Sequence, residues 1–356
     1  MMWKRRLARV WLGALLWALL VALCTSPRTL AADRLGAYGA DPNGISVSGL
    51  SSGGYMAQQY HVAHSRQIMG AGIFAAGPWE CADSVAFSLP LATAMTVCSH
   101  TAPGLTVFPG PPDVDFSIRA THDAAKQHHI DPVESLARAK VFLFSGKNDT
   151  PVPRPIVDTL RQYYLAFLPL NQIKYITDIP AEHAMPTEGY GNACGYLGTP
   201  YINDCHYDGA GEMLQFLYGT LNPPGDPSSG ELLAFDQSEF LPADPIGMAP
   251  VGHVFVPADC RTASGCRLHV AFHGCEQTEQ EIGDKFYAHA GYNRWAATNR
   301  LIVVYPQIVA TDLVPFNPKG CWDWFAYNNS DFATKRGAQI VAVSRMIDRV
   351  IRTSPP

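Results

Sequence analysis

Short apolar runs alternate along this chain with longer stretches in which apolar positions recur every three or four residues. The short runs fall at 45–49, 140–144, 173–177, 253–256, 268–272 and 301–305 and predict strands. The longer stretches, at 52–64, 287–299 and 331–351, predict helices. Strands and helices in turn are the signature of an α/β sheet. The clearest break is the turn-rich stretch 222–230, Asn-Pro-Pro-Gly-Asp-Pro-Ser-Ser-Gly. Neither flank holds enough strands and helices for a sheet of its own. One shared, mostly parallel sheet is therefore expected, with the break as a surface loop. No internal repeat is visible.

Hydrophobic residues make up 47% of the 356 positions and charged residues 16%. That balance excludes a disordered or highly charged chain and leaves room for a well-buried core. The N-terminus has the layout of an export signal. Lys4, Arg5, Arg6 and Arg9 precede an apolar run from Val10 to Leu23, and the small residues Ala31 and Ala32 follow. The run is short for a membrane span. Cleavage near Asp33 is expected, leaving a single catalytic domain over 33–356 in the periplasm or outside the cell. Loss of residues 1–32 removes five Lys/Arg and no Asp/Glu. It leaves 21 basic against 31 acidic residues, a formal charge of −10. With no basic run left, nucleic acid and anionic surfaces are not expected partners, nor is a membrane after cleavage.

Eight cysteines lie outside the signal, an even number in an exported chain, which suggests disulfides. Proximity suggests the local pairs Cys81 with Cys98, Cys194 with Cys205 and Cys260 with Cys266, leaving Cys275 for Cys321. The rival reading, a metal site, finds no Cys-x-x-Cys or paired Cys/His spacing, and no metal is expected.

The chemistry centres on Gly49-Leu50-Ser51-Ser52-Gly53. Gly-x-Ser-x-Gly is weak as a bare pattern, but here it joins a predicted strand to a predicted helix, the context of a nucleophile elbow. Gly49 and Gly53 suit a crowded turn, and the helix N-terminus directs positive partial charge at Ser51. A serine hydroxyl needs a base, and the base needs an orienting group. Asp149 follows the strand 140–144 and His183 follows the strand 173–177, each just past a carboxyl end, where α/β sheets place their sites. The order Ser51, Asp149, His183 is that of the α/β hydrolases. His64, His206 and His273 are the competing histidines; His273 reads as structural. One oxyanion donor is expected from the backbone N–H of Ser52. The second is expected from Cys275 in the His273-Gly274-Cys275 loop, stiffened by the bond to Cys321. That loop follows the elbow in the chain, whereas in an ordinary α/β hydrolase it comes before. A circularly permuted α/β hydrolase, joined near 222–230, is the resulting expectation.

Five blocks now carry a family resemblance. They are Ser48-Gly-Leu-Ser-Ser-Gly-Gly-Tyr-Met56, Tyr207-Asp-Gly-Ala-Gly211, Leu268-His-Val-Ala-Phe-His-Gly-Cys-Glu-Gln277, Gly291-Tyr-Asn-Arg-Trp-Ala296 and Gly320-Cys-Trp-Asp-Trp324. The chain resembles extracellular poly(3-hydroxybutyrate) depolymerases, in particular the single-domain, circularly permuted type, from about residue 40 onward. The resemblance implies Ser51, Asp149 and His183 as a triad, Ser52 and Cys275 as oxyanion donors, and Trp324, with Trp322 nearby, as lining of a polyester-binding crevice. For Trp322, core packing is the favoured reading. A monomeric serine esterase without cofactor, acting on a polyester or on hydroxyalkanoate oligomers, is expected. With no room for a separate polymer-binding domain, exposed apolar side chains of the catalytic domain are expected to meet the polymer. A feruloyl or acetyl esterase is the nearest alternative. A secreted protein that binds polymer without cleaving it is the alternative from another class.

Overall fold

In the computed structural model, residues 32–102, 104 and 110–353 are described. The export signal read over 1–32 lies outside them, apart from Ala32. Eight strands form one sheet: β1 (Ile45–Leu50), β2 (Ile68–Phe74), β3 (Lys140–Phe144), β4 (Ile173–Ile176), β8 (Gly230–Asp236), β9 (Val251–Pro257), β10 (Arg267–Phe272) and β11 (Leu301–Tyr305). Three shorter ones, β5 (Met185–Thr187), β6 (Asn192–Ala193) and β7 (Ile202–Asp204), form a second, small sheet. The large sheet runs in the order β4-β3-β2-β1-β10-β11-β9-β8. From β4 to β11 every pairing is parallel, and β9 alone is reversed, running antiparallel to both its neighbours, β11 and β8. The break at 222–230 does not divide the sheet: β1, from before it, pairs with β10, from after it, in the register Ile45 to Leu268 through Gly49 to Phe272.

The inner strands are buried at nearly every position because helices cover both faces. Alternate residues point opposite ways, so Ile302 and Val304 join one core while Leu301, Val303 and Tyr305 join the other. The helices Ser52–Ala63 and Ala338–Ile351 close the first face, and Gly209–Tyr218 and Tyr292–Thr298 the second. The 52–63 helix is buried all round, as a helix enclosed by its own fold is.

Two strands of the large sheet, and all three of the small one, lie outside the apolar runs that predicted the others. β2, Ile-Met-Gly-Ala-Gly-Ile-Phe, is interrupted by glycines that the packing requires. A Cβ on Gly70 would sit 2.8 Å from Leu217 Cδ2 and one on Gly72 2.5 Å from Met213 Cγ, so the 209–218 helix can lie close only over glycine. β8 is an edge strand that directly follows the turn-rich stretch, and its apolar run 232–235 is exposed except at Phe235. Two helices are corrected. The stretch 287–299 divides into Lys285–His289 and Tyr292–Thr298, because Gly291 between them takes φ +98°. The last helix begins at Ala338 and not at 331. Residues 331–337 are held in turns by the carbonyl of Asp331, which accepts from the N–H and hydroxyl of Thr334. Cys81–Cys98, Cys194–Cys205, Cys260–Cys266 and Cys275–Cys321 are all joined, the four pairs suggested by proximity.

Candidate active site

β1 ends at Leu50 and the next helix starts at Ser52, so Ser51 alone makes the turn. It does so at φ 57°, ψ −122°, a conformation that costs an L-residue free energy and lifts its side chain clear of both elements. The surroundings enforce it. Ser51 N–H donates to Phe74 O at 2.9 Å, and Tyr55 N–H donates to Ser51 O at 2.9 Å. The crowding expected at the two glycines is present. A Cβ on Gly49 would lie 2.2 Å from Gly53 O, and one on Gly53 would lie 2.3 Å from both Phe272 O and His273 O.

Asp149 and His183 come from loops beyond β3 and β4, and several bonds lace these loops together. Lys147 N–H donates to Ile179 O (2.8 Å) and Asn148 N–H to Ala181 O (3.0 Å). Between the laced loops, His183 Nδ1 lies 2.9 Å from Asp149 Oδ2 and 3.1 Å from Oδ1, with both side chains buried. Asp149 Oδ1 also accepts from Val152 N–H at 2.8 Å, which fixes the carboxylate. Burial pulls the His183 pKa down, but the charge of Asp149, its hydrogen bond and the charge of Glu182 outweigh that. The net shift is upward from 6.5. Ser51 and His183 line one cleft of about 560 Å³, with Asp149 behind the imidazole.

On the other side of Ser51 lies the loop after β10. A Cβ on Gly274 would sit 3.4 Å from Ser51 Cβ. The Gly274 peptide is held at both ends. Its N–H donates to Gln277 Oε1 at 2.6 Å, and His273 Nδ1 is 2.7 Å from its carbonyl. His273 Nε2 accepts from Ile308 N–H at 3.2 Å, which leaves the proton on Nδ1 to donate. With both nitrogens engaged and burial holding the ring's pKa down at about 4, His273 is a neutral brace. Gln277 in turn donates to Pro200 O (2.9 Å) and Tyr201 O (3.1 Å), a link that no motif announced. Gln277 occupies the Gly274 N–H and Lys319 O accepts from the Glu276 N–H at 2.7 Å, whereas among the described residues the Cys275 N–H between them has no hydrogen-bond partner; the disulfide to Cys321 anchors that residue. Ser52, at the first helical position, has no partner for its N–H within the helix.

The two tryptophans part company. Trp324 lines the cleft and stacks on Tyr55 with ring centroids 4.1 Å apart and planes 9° from parallel. Trp322, two residues earlier, is fully buried, packs edge-on against Phe272 and lies outside the lining. The crevice role that the resemblance extended to Trp322 is therefore corrected to core packing. Tyr55, which sequence reasoning left without a role, is held by its hydroxyl on Cys98 O at 2.7 Å. Its place one turn after Ser51 on the same helix was the available signal. Leu91, Met95, Leu197 and Phe316 complete an apolar wall. The competing histidines lie elsewhere: His64 is 3.2 Å from Ser344 Oγ, and His206 faces Asp204. Among the described residues no group of three or more His, Cys, Asp or Glu is placed to hold a metal ion, and no helix is long and apolar enough to cross a membrane.

No family model matches the chain. A poly(3-hydroxybutyrate) depolymerase of Delftia acidovorans is 41% identical over 345 residues, covering 94% of this chain and 66% of the relative. The chain thus spans just under two thirds of that relative's length. A polyhydroxybutyrate depolymerase of Talaromyces funiculosus is 35% identical over 337 residues, covering 90% of this chain and 94% of the relative. The crystal structure of a PHB depolymerase from Penicillium funiculosum superposes with a TM-score of 0.79 at 33% identity, over 89% of this chain and 98% of that one. A PHB depolymerase with a serine-to-alanine substitution, complexed with an R3HB trimer, matches equally well. With these blocks, this sheet and this identity over nearly the whole of the Talaromyces protein, the chain belongs to the polyhydroxybutyrate depolymerase family.

Proposed function

We propose that this chain is an exported serine esterase that hydrolyses poly(3-hydroxybutyrate)-type polyesters or their oligomers. One observation carries the reading: a strained serine and a buried, carboxylate-held imidazole, from segments far apart in sequence, line the same apolar cleft. In this reading Ser51 Oγ attacks the ester carbonyl as its proton passes to His183 Nε2. Asp149 holds the ring through Nδ1 and stabilises the imidazolium. The carbonyl oxygen gains its charge beside the N–H groups of Ser52 and Cys275. As the tetrahedral species collapses, the imidazolium protonates the departing alkoxide, which leaves as the hydroxyl end of one fragment. Water, deprotonated by the same ring, then attacks the acyl-enzyme, and collapse frees the 3-hydroxyacid as the ring returns the proton to Ser51 Oγ. The segment order, with β10 and its loop after the elbow in the chain yet beside it in the sheet, supports a circular permutation. Four disulfides and the N-terminal signal support export.

The exposed apolar side chains at the mouth of the cleft, Leu91, Leu197 and Phe316, with Leu313 and Val314 near Phe316 in sequence, would meet the polymer surface. The decisive assay is Ser51→Ala on a 3-hydroxybutyrate trimer. Activity is expected to fall by at least about a thousandfold; hydrolysis near the parent rate would refute the assignment. Release of 3-hydroxybutyrate is expected to exceed release of ferulate from a feruloyl ester.

A further inference from the structure

The catalytic reading leaves unused a buried carboxylate next to the imidazole in the chain. Glu182, directly before His183, is only 5% exposed. Its Oε1 accepts two hydrogen bonds from one residue, Thr150: the backbone N–H at 3.0 Å and the hydroxyl, in a short contact. Thr150 directly follows Asp149 and lines the cleft. The backbone of Glu182 is tied as well, its N–H donating to Cys194 O at 2.9 Å beside the Cys194–Cys205 disulfide. A side chain from the histidine loop thus grips the residue after the acid, and the disulfide-closed segment holds that side chain's own backbone.

Charge gives Glu182 a second role. Among the described residues no lysine or arginine forms an ion pair with Glu182 or Asp149. The charges acting on the imidazole are Asp149 from the acid loop and Glu182 from its own loop. The other titratable groups around the cleft are His100, Tyr55, Tyr201, Glu276 and Lys319, and Glu276 and Lys319 neutralise one another in an ion pair at 3.2 Å. Asp149, bonded to the ring, and Glu182, buried on the adjoining residue, therefore both carry negative charge close to an imidazole that becomes cationic in the proposed reaction, and in a buried setting neither is strongly screened.

We infer that Glu182 is a positioning residue with two separable functions: its hydrogen bonds to Thr150 set the spacing of the acid and histidine loops, and its buried negative charge, one residue from the imidazole, acts on His183. The inference rests on the triad reading above. Because both bonds fall on Oε1, Glu182→Gln retains an acceptor of nearly the same shape and removes only the charge. Thr150→Val removes one bond and leaves the charge.

The experiment measures kcat and KM against pH on a soluble short-chain 3-hydroxyacyl ester for the parent, Glu182→Gln and Thr150→Val, with Ser51→Ala as control and thermal unfolding to confirm that each is folded. Glu182→Gln is expected to move the acid limb of kcat/KM to lower pH by about half a unit, since the ring loses one stabilising charge. Thr150→Val is expected to leave the limb in place and lower kcat about fivefold at unchanged KM, through loosened geometry. An acid limb unmoved in Glu182→Gln, or moved equally in Thr150→Val, overturns the inference. Should Glu182→Gln not fold, the limb in Glu182→Asp decides instead. There the charge remains, and a limb displaced as the lost charge would displace it counts against the inference. Activity surviving in Ser51→Ala would instead point to failure of the triad reading itself, so the two failures are distinguishable.

Discussion

Ser51 sits at φ 57° because its neighbours leave its backbone no alternative, and two glycines bear the consequences. At Gly53 the atoms that a Cβ would strike are backbone carbonyls of the β10 loop, which cannot swing aside as a side chain does. Gly53→Ala is expected to cost about 3 kcal/mol or more, read as a lowered urea midpoint, and to abolish ester hydrolysis in whatever protein folds. His183 supplies the second expectation at this scale. Its pKa lies above the ordinary 6.5, and in the proposed mechanism the neutral ring is the form that accepts the serine's proton. Thus kcat/KM on a soluble ester should be at its plateau above that pKa. It should fall about tenfold per pH unit below it, as the ring becomes charged in the free enzyme. A profile flat from pH 7 to pH 5 would contradict the assignment. The loop positions of Ser51, Asp149 and His183 were legible in the sequence, because each stands just beyond an apolar run. Glu182 was not, since a glutamate in a loop looks the same whether it faces water or Thr150.

Among elements, the loop after β10 depends on braces that come from elsewhere in the chain. Gln277 joins Gly274 to the segment at Pro200 and Tyr201. Gln277→Ala should release the Cys275 N–H from its aim and lower kcat about tenfold with KM little changed. That is less than deletion of a donor outright, since the disulfide to Cys321 still anchors the loop. The 209–218 helix shows the same economy of partners. Asp208 caps it by accepting from Gly211 N–H at 2.8 Å, and its other oxygen accepts from Trp295 Nε1–H at 2.7 Å. Asp208→Ala therefore removes a cap and strands an indole N–H, at a cost of about 2–3 kcal/mol in urea unfolding. The apolar strands β1, β3, β10 and β11 were readable from their runs. β2 was obscured by Gly70 and Gly72, whose purpose appears only with Leu217 and Met213 lying against them.

For the whole molecule, the cleft opens among exposed apolar side chains, and in the proposed function a rim of that kind serves a solid substrate more than a dissolved one. Replacing Leu91 and Phe316 together by Ser should reduce adsorption to a polyester film and film hydrolysis by about tenfold or more. Turnover of a soluble hydroxybutyrate ester should change less than about threefold. Equal losses on both substrates would show that these residues serve the reaction centre and not the surface.

Local sequence determined what depends on neighbours a few residues apart: the apolar strands, the glycine-flanked elbow, the three short-range cysteine pairs and the loop positions of the acid and the base. Tertiary structure alone decided which distant segments touch. It set β1 beside β10, placed Glu182 on Thr150, and sent Trp322 into the core while Trp324, two residues away, reached the cleft. The physical reason is that burial and hydrogen bonding between remote segments are settled by how the two faces of the sheet pack. Periodicity along the chain carries no record of which partner a side chain will meet.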